Sequence, residues 1–498
     1  MKADAKVLDY IFPTFIIVGL ILSIINFFFF RSLWMDEASL ALNIIDRPVS
    51  GLLEPLDYNQ VAPIGFLFVE KVFSYLFGNT DWALRIYPMF SFFLSIYLVY
   101  SVSLKIFDDK KFALFCVAFY SLSYYVIFYS SEVKQYMSDV VFCWTITLYT
   151  ILQTEEDNQS KAWIYALIGA ISIWFSNASI IFLFTSGLYF AYKTYRRNPR
   201  GYLKIVGVVG SWVISFTVYY LLFIHNHPTK DVMVEYWSYW EAFLPTDILS
   251  VEFISALGRK VVTFFSLLGY SWLSVVFAPV FIIGLYCLGK TKIELLFLIT
   301  APIAVHLVLS YFKMYPFSER LILYLYPSLI IALTYGCYYL STLVKHPSRP
   351  LVLYSLIFPL ILNLILLYAR GFPIEVEEIK KPLSYLDENI GKEDYLYIYY
   401  AANNAFTFYE RRYSNIIEPH NRNIIRSDNH RDDWSRYEED VPQTDGTVWI
   451  LFSHVDWGKD QEEMNEEKYI LSLFEKNGYN ITGRKKYKGA SLYKASSF

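Results

Sequence analysis

Apolar runs close to the length of a membrane crossing fill most of the first 370 residues of this 498-residue chain. A spanning helix needs about 20 mostly apolar residues. Runs of that kind lie at 10–30, 84–106, 112–128, 138–153, 162–176, 178–193, 203–224, 266–288, 293–311, 321–343 and 350–368. The sequence therefore predicts an α-helical polytopic membrane protein with about 11 transmembrane helices. The first run follows Lys2 and Lys6, as in a signal peptide, but it ends at Arg31-Ser32-Leu33-Trp34 without a small-residue cleavage site. It reads as an uncleaved span.

Charge divides the chain at the same point. The last 128 residues carry 23 acids and 17 bases, whereas the first 370 carry only 23 acids and 26 bases. Such a division predicts a membrane-embedded body over 1–370 and a soluble domain over 371–498. It excludes a single globular enzyme and a disordered chain. The net charge of −3 gives no basic footprint for nucleic acid.

Basic residues in short loops set the orientation. Lys105, Lys110 and Lys111 follow the second run, and Lys193, Arg196, Arg197, Arg200 and Lys204 follow the sixth. Lys290 and Lys292 follow the eighth, and Lys345 and Arg349 the tenth. A cytoplasmic N-terminus puts all four groups on the cytoplasmic side, and an odd number of spans then puts 371–498 outside. The segment 61–77 is apolar but short, and Glu70-Lys71 at its middle is costly in hydrocarbon. It reads as an interfacial helix within a first outer loop, 31–82. A second large outer loop, 225–262, is rich in Trp and Tyr. In the tail, a helical stretch at 374–390, strands at 395–400 and 448–452, a helix at 461–477 and a strand near 491–494 predict a small α/β domain.

Several chemistries have no sequence support. The four cysteines, Cys116, Cys143, Cys287 and Cys337, all sit in apolar runs and read as core residues; no Cys/His metal spacing occurs. His225 and His227 have no neighbouring acid or thiol and read as a loop pair. No nucleotide-binding glycine loop is present.

The informative residues are charges at the outer membrane boundary. Asp36 and Glu37 follow the first span, and a helix would point them about 100° apart, so they are expected to have different jobs. One would accept a proton while the other binds or orients. The alternative is a solvated helix N-terminus, where acids are favoured. Glu132, Lys134, Gln135, Tyr136 and Asp139 form a second cluster; on a helix Glu132, Gln135, Tyr136 and Asp139 would share a face, and Lys134 would pair locally or meet a phosphate. A polar loop with a cap is the other reading. Lys313, Tyr315, Glu319 and Arg320 lie in a short outer turn, where the cations would either snorkel or bind an anionic headgroup. Arg85 is a similar case. A transporter would carry ionisable groups mid-span; here only Glu294, at a span's edge, and His306 come near that, so an enzyme is the better reading.

Trp34-Met35-Asp36-Glu37-Ala38 after the first span, Asn59-Gln60-Val61-Ala62-Pro63, Trp82-Ala83-Leu84-Arg85, the stretch from Glu132 to Asp139, and Tyr315-Pro316-Phe317 with Glu319-Arg320 together resemble the GT-C superfamily of integral-membrane glycosyltransferases. The likeness is to the branch of protein O-mannosyltransferases and aminoarabinose (lipid A) transferases, and it covers about 10–370. It implies an inverting transfer of a monosaccharide from a polyprenyl-phosphate donor to an acceptor hydroxyl outside the cytoplasmic membrane: lipid A, a glycan or an exported protein. By that resemblance Asp36 is the general base, Glu37 positions a substrate, and Glu132 and Lys134 stand across the cavity. Arg85, Lys134, Lys313 and Arg320 steady the leaving phosphate. Gln60, Tyr136, Asp139, Tyr315 and Glu319 line the substrate site. Where many relatives have a His-Pro-Pro-like sequence this chain reads Gln60-Val61-Ala62-Pro63, so no histidine role carries over. Glu132 stands where some relatives have Asp, leaving metal dependence open, though the closer relatives imply no metal and no other cofactor. A lipid-linked-sugar flippase and a glycan ligase are the rival functions.

Overall fold

The computed structural model describes residues 2–155, 161–269, 273–344, 355–413, 416, 424–455 and 465–497. The chain is mainly helical and divides into two compact units, one of 1–28 with 49–372 and one of 29–48 with 373–498. The fold class expected from the sequence is the one found: apolar helices followed by a small C-terminal α/β region.

In the first unit the helices are α1 (Lys2–Phe28), α3 (Ile64–Phe77), α4 (Ile86–Ile106), α5 (Lys110–Ser121), α6 (Tyr124–Tyr129), α7 (Tyr136–Glu155), α8 (Ala162–Phe175), α9 (Ser179–Arg197), α10 (Tyr202–Tyr219), α11 (Lys230–Tyr239), α12 (Val251–Ser266), α13 (Leu273–Thr291), α14 (Ile293–Tyr311), α15 (Tyr326–Leu343) and α16 (Ile357–Ala369). Among the described residues five helical segments are long and apolar enough to cross a membrane: Asp9–Phe28, Ala83–Ile106, Pro199–Ile224, Ile293–Tyr311 and Glu319–Leu343. Ala162–Phe175, Phe277–Thr291 and Ile357–Ala369 are shorter apolar helices. Small residues let helices close up. A Cβ at Gly336 on α15 would collide with the Val280 carbonyl oxygen on α13, and one at Gly284 on α13 with that of Ala332, so these two backbones touch where side chains would hold them apart.

Ion pairs collect the basic loops at one end of this unit. Lys105 reaches Glu155 at 2.7 Å, Lys193 reaches Glu294 at 2.7 Å, and Lys292 reaches Asp108 at 2.8 Å. The ends of α4, α7, α9 and the start of α14 are thereby tied together, as a common side for the positive loops requires. Lys345 and Arg349 lie outside the described residues.

The second unit contains α2 (Met35–Asp46), α17 (Lys380–Asn389), α18 (Asn403–Glu410), α19 (Glu466–Lys476) and a five-stranded sheet. Its strands are β1 (Tyr395–Ile398), β2 (Ile424–Arg426), β3 (Thr447–Ser453), β4 (Tyr479–Tyr487) and β5 (Ala490–Ser497), in the order β2-β1-β3-β5-β4. β1 runs parallel to both β2 and β3; β5 is antiparallel to β3 and β4. Tyr397, Tyr399, Ile450, Phe452, Ile470 and Phe474 form its buried centre. The strands expected at 395–400, 448–452 and 491–494 are present, and the expected helix at 461–477 appears as Glu466–Lys476, its start lying outside the described residues. β2 and β4 were not expected.

The first outer loop does not stay in one piece. Residues 29–48 pack with the tail, whereas 49–82 belong to the helical unit. Polar contacts explain this. Ser32 Oγ donates to Glu378 Oε1 at 2.7 Å, the Leu33 amide donates to the Tyr409 hydroxyl at 2.9 Å, and the Met35 amide donates to Glu377 Oε2 at 3.1 Å. Asn404 Nδ2 donates to Ser39 Oγ at 2.8 Å.

Candidate functional site

In the second unit the adjacent acids Asp36 and Glu37 open α2 and point to different surroundings. Glu37 is fully buried and accepts from Arg31 Nη1 at 2.7 Å, with the Arg31 side chain 1% exposed. Asp36 is half-buried in the same first turn. Here the positive end of the helix dipole favours a carboxylate. The two adjacent carboxylates thus differ in burial.

In the first unit, charged groups gather at the end opposite the ion-paired loops. Tyr58 and Asn59 both take left-handed conformations, φ 61° and 53°, a turn that delivers Gln60. Gln60 Oε1 accepts from Lys134 Nζ at 2.6 Å, and both side chains are buried. Beside Gln60 opens a cavity of about 130 Å³, walled by Leu52, Ile64, Leu67, Asn177 and Tyr219. Arg85, 2% exposed, ends the short turn Ala83–Arg85 that starts α4.

The second cluster differs from the single helical face considered above. α7 begins only at Tyr136, because the Lys134 amide donates back to the Glu132 carbonyl at 2.7 Å, a tight turn incompatible with helix. Glu132, Tyr136 and Asp139 are nonetheless all buried. Tyr129 ties this cluster to the late outer turn. Its ring lies 5.1 Å from that of Tyr136. Burial pushes its hydroxyl well above the usual tyrosine range; Glu132 and Tyr136 add to the shift, and Arg320 opposes it.

Arg320 stacks on the Trp237 ring at 5.0 Å, which joins the aromatic second outer loop to the same end. Glu319 accepts from Ser266 Oγ at 3.4 Å. Tyr315 lies edge-on to His306. His306 Nε2 faces the Pro316 carbonyl at 3.1 Å and Nδ1 faces the Tyr324 hydroxyl at 2.5 Å. A carbonyl only accepts, so Nε2 carries the proton and Nδ1 accepts from Tyr324. His306 is thus a packing post for this turn. Lys313 is not brought to the set: it is exposed, its backbone is left-handed (φ 54°), and among the described residues its ammonium meets none of these groups. His227 bonds the Thr229 hydroxyl at 2.8 Å, as a loop histidine does.

Three charged groups escaped notice as site candidates. Glu70 on α3 is fully buried, and among the described residues neither carboxylate oxygen has a hydrogen-bond partner; burial holds its carboxyl well above the usual range. Lys260 on α12 is buried, donates to the Glu241 carbonyl at 2.5 Å, and burial pulls its ammonium down to about 8. Arg370 donates to the Gly269 carbonyl and lies 4.4 Å from the Tyr124 ring centroid. Helical spacing carries a signal for two of them. Ala256, Lys260 and Phe264 recur every fourth residue on the buried face of α12, as do Phe66, Glu70 and Ser74 on α3. Among the described residues no three His, Cys, Asp or Glu side chains gather as a metal site would require.

Comparison with known proteins places these features in a family context. Residues 61–223 match the model of the dolichyl-phosphate-mannose-protein mannosyltransferase family, a segment holding Glu70, Arg85, Glu132, Lys134 and Asp139. No curated protein matches the sequence. Among solved structures, the chain is similar to ArnT from Cupriavidus metallidurans bound to undecaprenyl phosphate, with 12% identity, 97% of each chain covered and a TM-score of 0.53. The apo form of the same ArnT matches at 12% identity over 98% of each chain, also with a TM-score of 0.53. The chain has the GT-C glycosyltransferase fold. The resemblance read from the sequence is borne out, and with its apolar helices the GT-C fold makes this a multi-pass membrane protein. The family match and the GT-C fold together support a glycosyltransferase that uses a lipid-linked sugar.

Proposed function

We propose that this protein moves one monosaccharide, with inversion, from a polyprenyl-phosphate donor to an acceptor hydroxyl at the outer face of the cytoplasmic membrane. The acceptor classes are lipid A, a glycan or an exported protein. One observation carries the reading: the segment matched by the mannosyltransferase model places Arg85, Glu132 and Lys134 as buried charges in an otherwise apolar helical unit. Buried charges are expensive and persist where function uses them.

In this reading the acceptor oxygen attacks the anomeric carbon, forming the new C–O bond as the C–O bond to phosphate breaks. The electron pair leaves on the phosphate oxygen. Asp36 takes the acceptor proton. Glu37, held by Arg31, fixes the first turn of α2 and so positions Asp36. Lys134, Arg85 and Arg320 steady the phosphate charge; Gln60 orients Lys134 through their hydrogen bond. Glu132, Tyr136, Asp139, Tyr315 and Glu319 shape the sugar and headgroup site. A phosphate is already a good leaving group, so fixed positive charge serves it better than a strong acid. No step calls for a metal.

The test incubates purified full-length protein and Asp36→Asn with a panel of polyprenyl-phosphate monosaccharides and cell-envelope acceptors, read by mass spectrometry. Sugar-dependent release of polyprenyl phosphate by the native protein, reduced roughly 10²–10⁴-fold in Asp36→Asn, is the expected result. Lipid movement in liposomes without sugar release would mark a flippase instead, and consumption of pyrophosphate-linked oligosaccharides a ligase.

A further inference from the structure

At the ion-paired end of the helical unit a second cavity, of about 400 Å³, opens between the end of α7, the end of α9 and the start of α10. Its wall includes Gln153, Lys193, Arg197, Arg200 and Lys204. Gln153 lies 17 residues beyond Tyr136 on α7, about 25 Å along the helix at 1.5 Å per residue. The cavity is therefore separate from the groups around Gln60 and Lys134.

The charges facing it are unevenly matched. Lys193 is held by both oxygens of Glu294, and the nearby Glu155 is held by Lys105. Lys204 lies over the Phe190 ring at 5.7 Å. Arg197 and Arg200 form no ion pair among the described residues. The turn Pro199–Gly201 leads directly into α10, an 18-residue helix, and is capped by Asn198 Oδ1, which accepts from the Arg200 amide at 3.0 Å; the positive end of the helix dipole lies here. The positive-inside bias accounts for basic residues at such an end, but not for what lies behind them. Gln153 is 5% exposed, lines the cavity, and among the described residues its Oε1 has no hydrogen-bond partner. A buried amide oxygen without a donor is costly.

We propose that this cavity binds a glycerophosphate group. Arg197 and Arg200 would hold the phosphate, favoured by the α10 dipole, and a glycerol hydroxyl would donate to Gln153 Oε1. Guanidinium groups suit a phosphate because they offer paired donors in one plane. Leu203 and Val206 on α10 and Leu188 on α9 are each more than half exposed, an apolar surface that acyl chains would cover. The source is then an anionic glycerophospholipid of the adjoining leaflet. A soluble glycerophosphate shares the same headgroup chemistry.

The experiment is native mass spectrometry of the full-length protein released from phosphatidylcholine nanodiscs containing graded phosphatidylglycerol. The expected result is retention of one phosphatidylglycerol, weakened at least about tenfold in Arg197→Gln/Arg200→Gln. Both arginines are exposed, so the variant keeps its fold. Gln153→Leu should weaken phosphatidylglycerol and leave phosphatidic acid, which lacks the headgroup hydroxyl, unchanged. Added glycerol 3-phosphate separates the sources: no displacement at micromolar concentration supports the lipid, and displacement supports the same site with a soluble ligand. Equal retention of phosphatidylcholine and phosphatidylglycerol, or equal retention by native protein and double variant, overturns the proposal.

Discussion

Replacing Glu37 by Gln should destabilise the α/β unit far more than replacing its neighbour Asp36 by Asn. Arg31 and Glu37 form a 2.7 Å ion pair in which neither side chain is more than 1% exposed. Removing one partner of a buried pair leaves the other charge less well compensated, at a cost of about 3–5 kcal/mol. Asp36 is half-buried in the first turn of α2, where solvent reaches it and the favourable helix dipole contributes about 0.3–1 kcal/mol. At 1.36 kcal/mol per decade, the Glu37 change should speed amide exchange in β3 by roughly 10²–10⁴, and loss of the dipole interaction at Asp36 by about fivefold. Hydrogen exchange of the full-length protein in detergent, followed at Thr447–Ser453, reads this directly. Arg31→Met/Glu37→Leu should recover most of the loss, because a well-packed apolar pair replaces both charges. Turnover should rank the carboxylates the other way per unit of stability lost. β3 protection within fivefold of native in Glu37→Gln, or no recovery in the double variant, would refute the reasoning.

Three further outcomes follow from the helical unit. Glu70 holds a proton that the unfolded chain releases above about pH 4.3, so native stability should fall as pH rises from there, by up to about 1.4 kcal/mol per pH unit; Glu70→Gln should lose that slope, and parallel unfolding midpoints from pH 5 to 8 would contradict it. Lys260, pulled down to about 8, binds fewer protons folded than unfolded up to about pH 10.4. Native stability should therefore rise with pH through that window while Lys260→Met stays flat in the same assay. Gly336→Leu forces a side chain onto the Val280 carbonyl and should abolish monodisperse protein on size exclusion; a native elution profile at native yield would show that α13 and α15 can part.

Legibility in the sequence followed the strength of each physical signal. Apolar runs and basic loops were readable because hydrocarbon and membrane potential act on composition alone. β3 was readable because Val448-Trp449-Ile450-Leu451-Phe452 is buried on both faces. β4 was not: it is an edge strand carrying Arg484, Lys485 and Lys486 outward, so charge masks its pattern. β2 has three residues, too few to show a period. The move of 29–48 into the tail unit was hidden for another reason. It rests on Glu377, Glu378, Asn404 and Tyr409, more than 300 residues away in sequence, and no local pattern reports such partners. Asp36, Glu37, Arg85, Glu132 and Lys134 stood out because they break the apolar trend at a boundary. Glu70 and Lys260 break it inside amphipathic helices, where a charge is easily assigned to the wet face.

The two ends of the helical unit handle charge in opposite ways. At one end Lys105, Lys193 and Lys292 meet Glu155, Glu294 and Asp108 in half-exposed pairs, each worth little in stability but enough to keep helix ends in register. At the other end Glu70, Arg85, Glu132 and Lys134 are buried with side chains at most 6% exposed. Burial of this kind is disfavoured unless something is gained. The cost is consistent with a site built to receive charge. In the proposed reading, a lipid phosphate that reaches Arg85 and Lys134 would meet buried donors, and such donors act most strongly on charge that develops only as the bond to phosphate breaks. Gln60 adds to this by holding Lys134 at 2.6 Å: a neutral acceptor of this kind helps to fix the ammonium in place before any phosphate arrives.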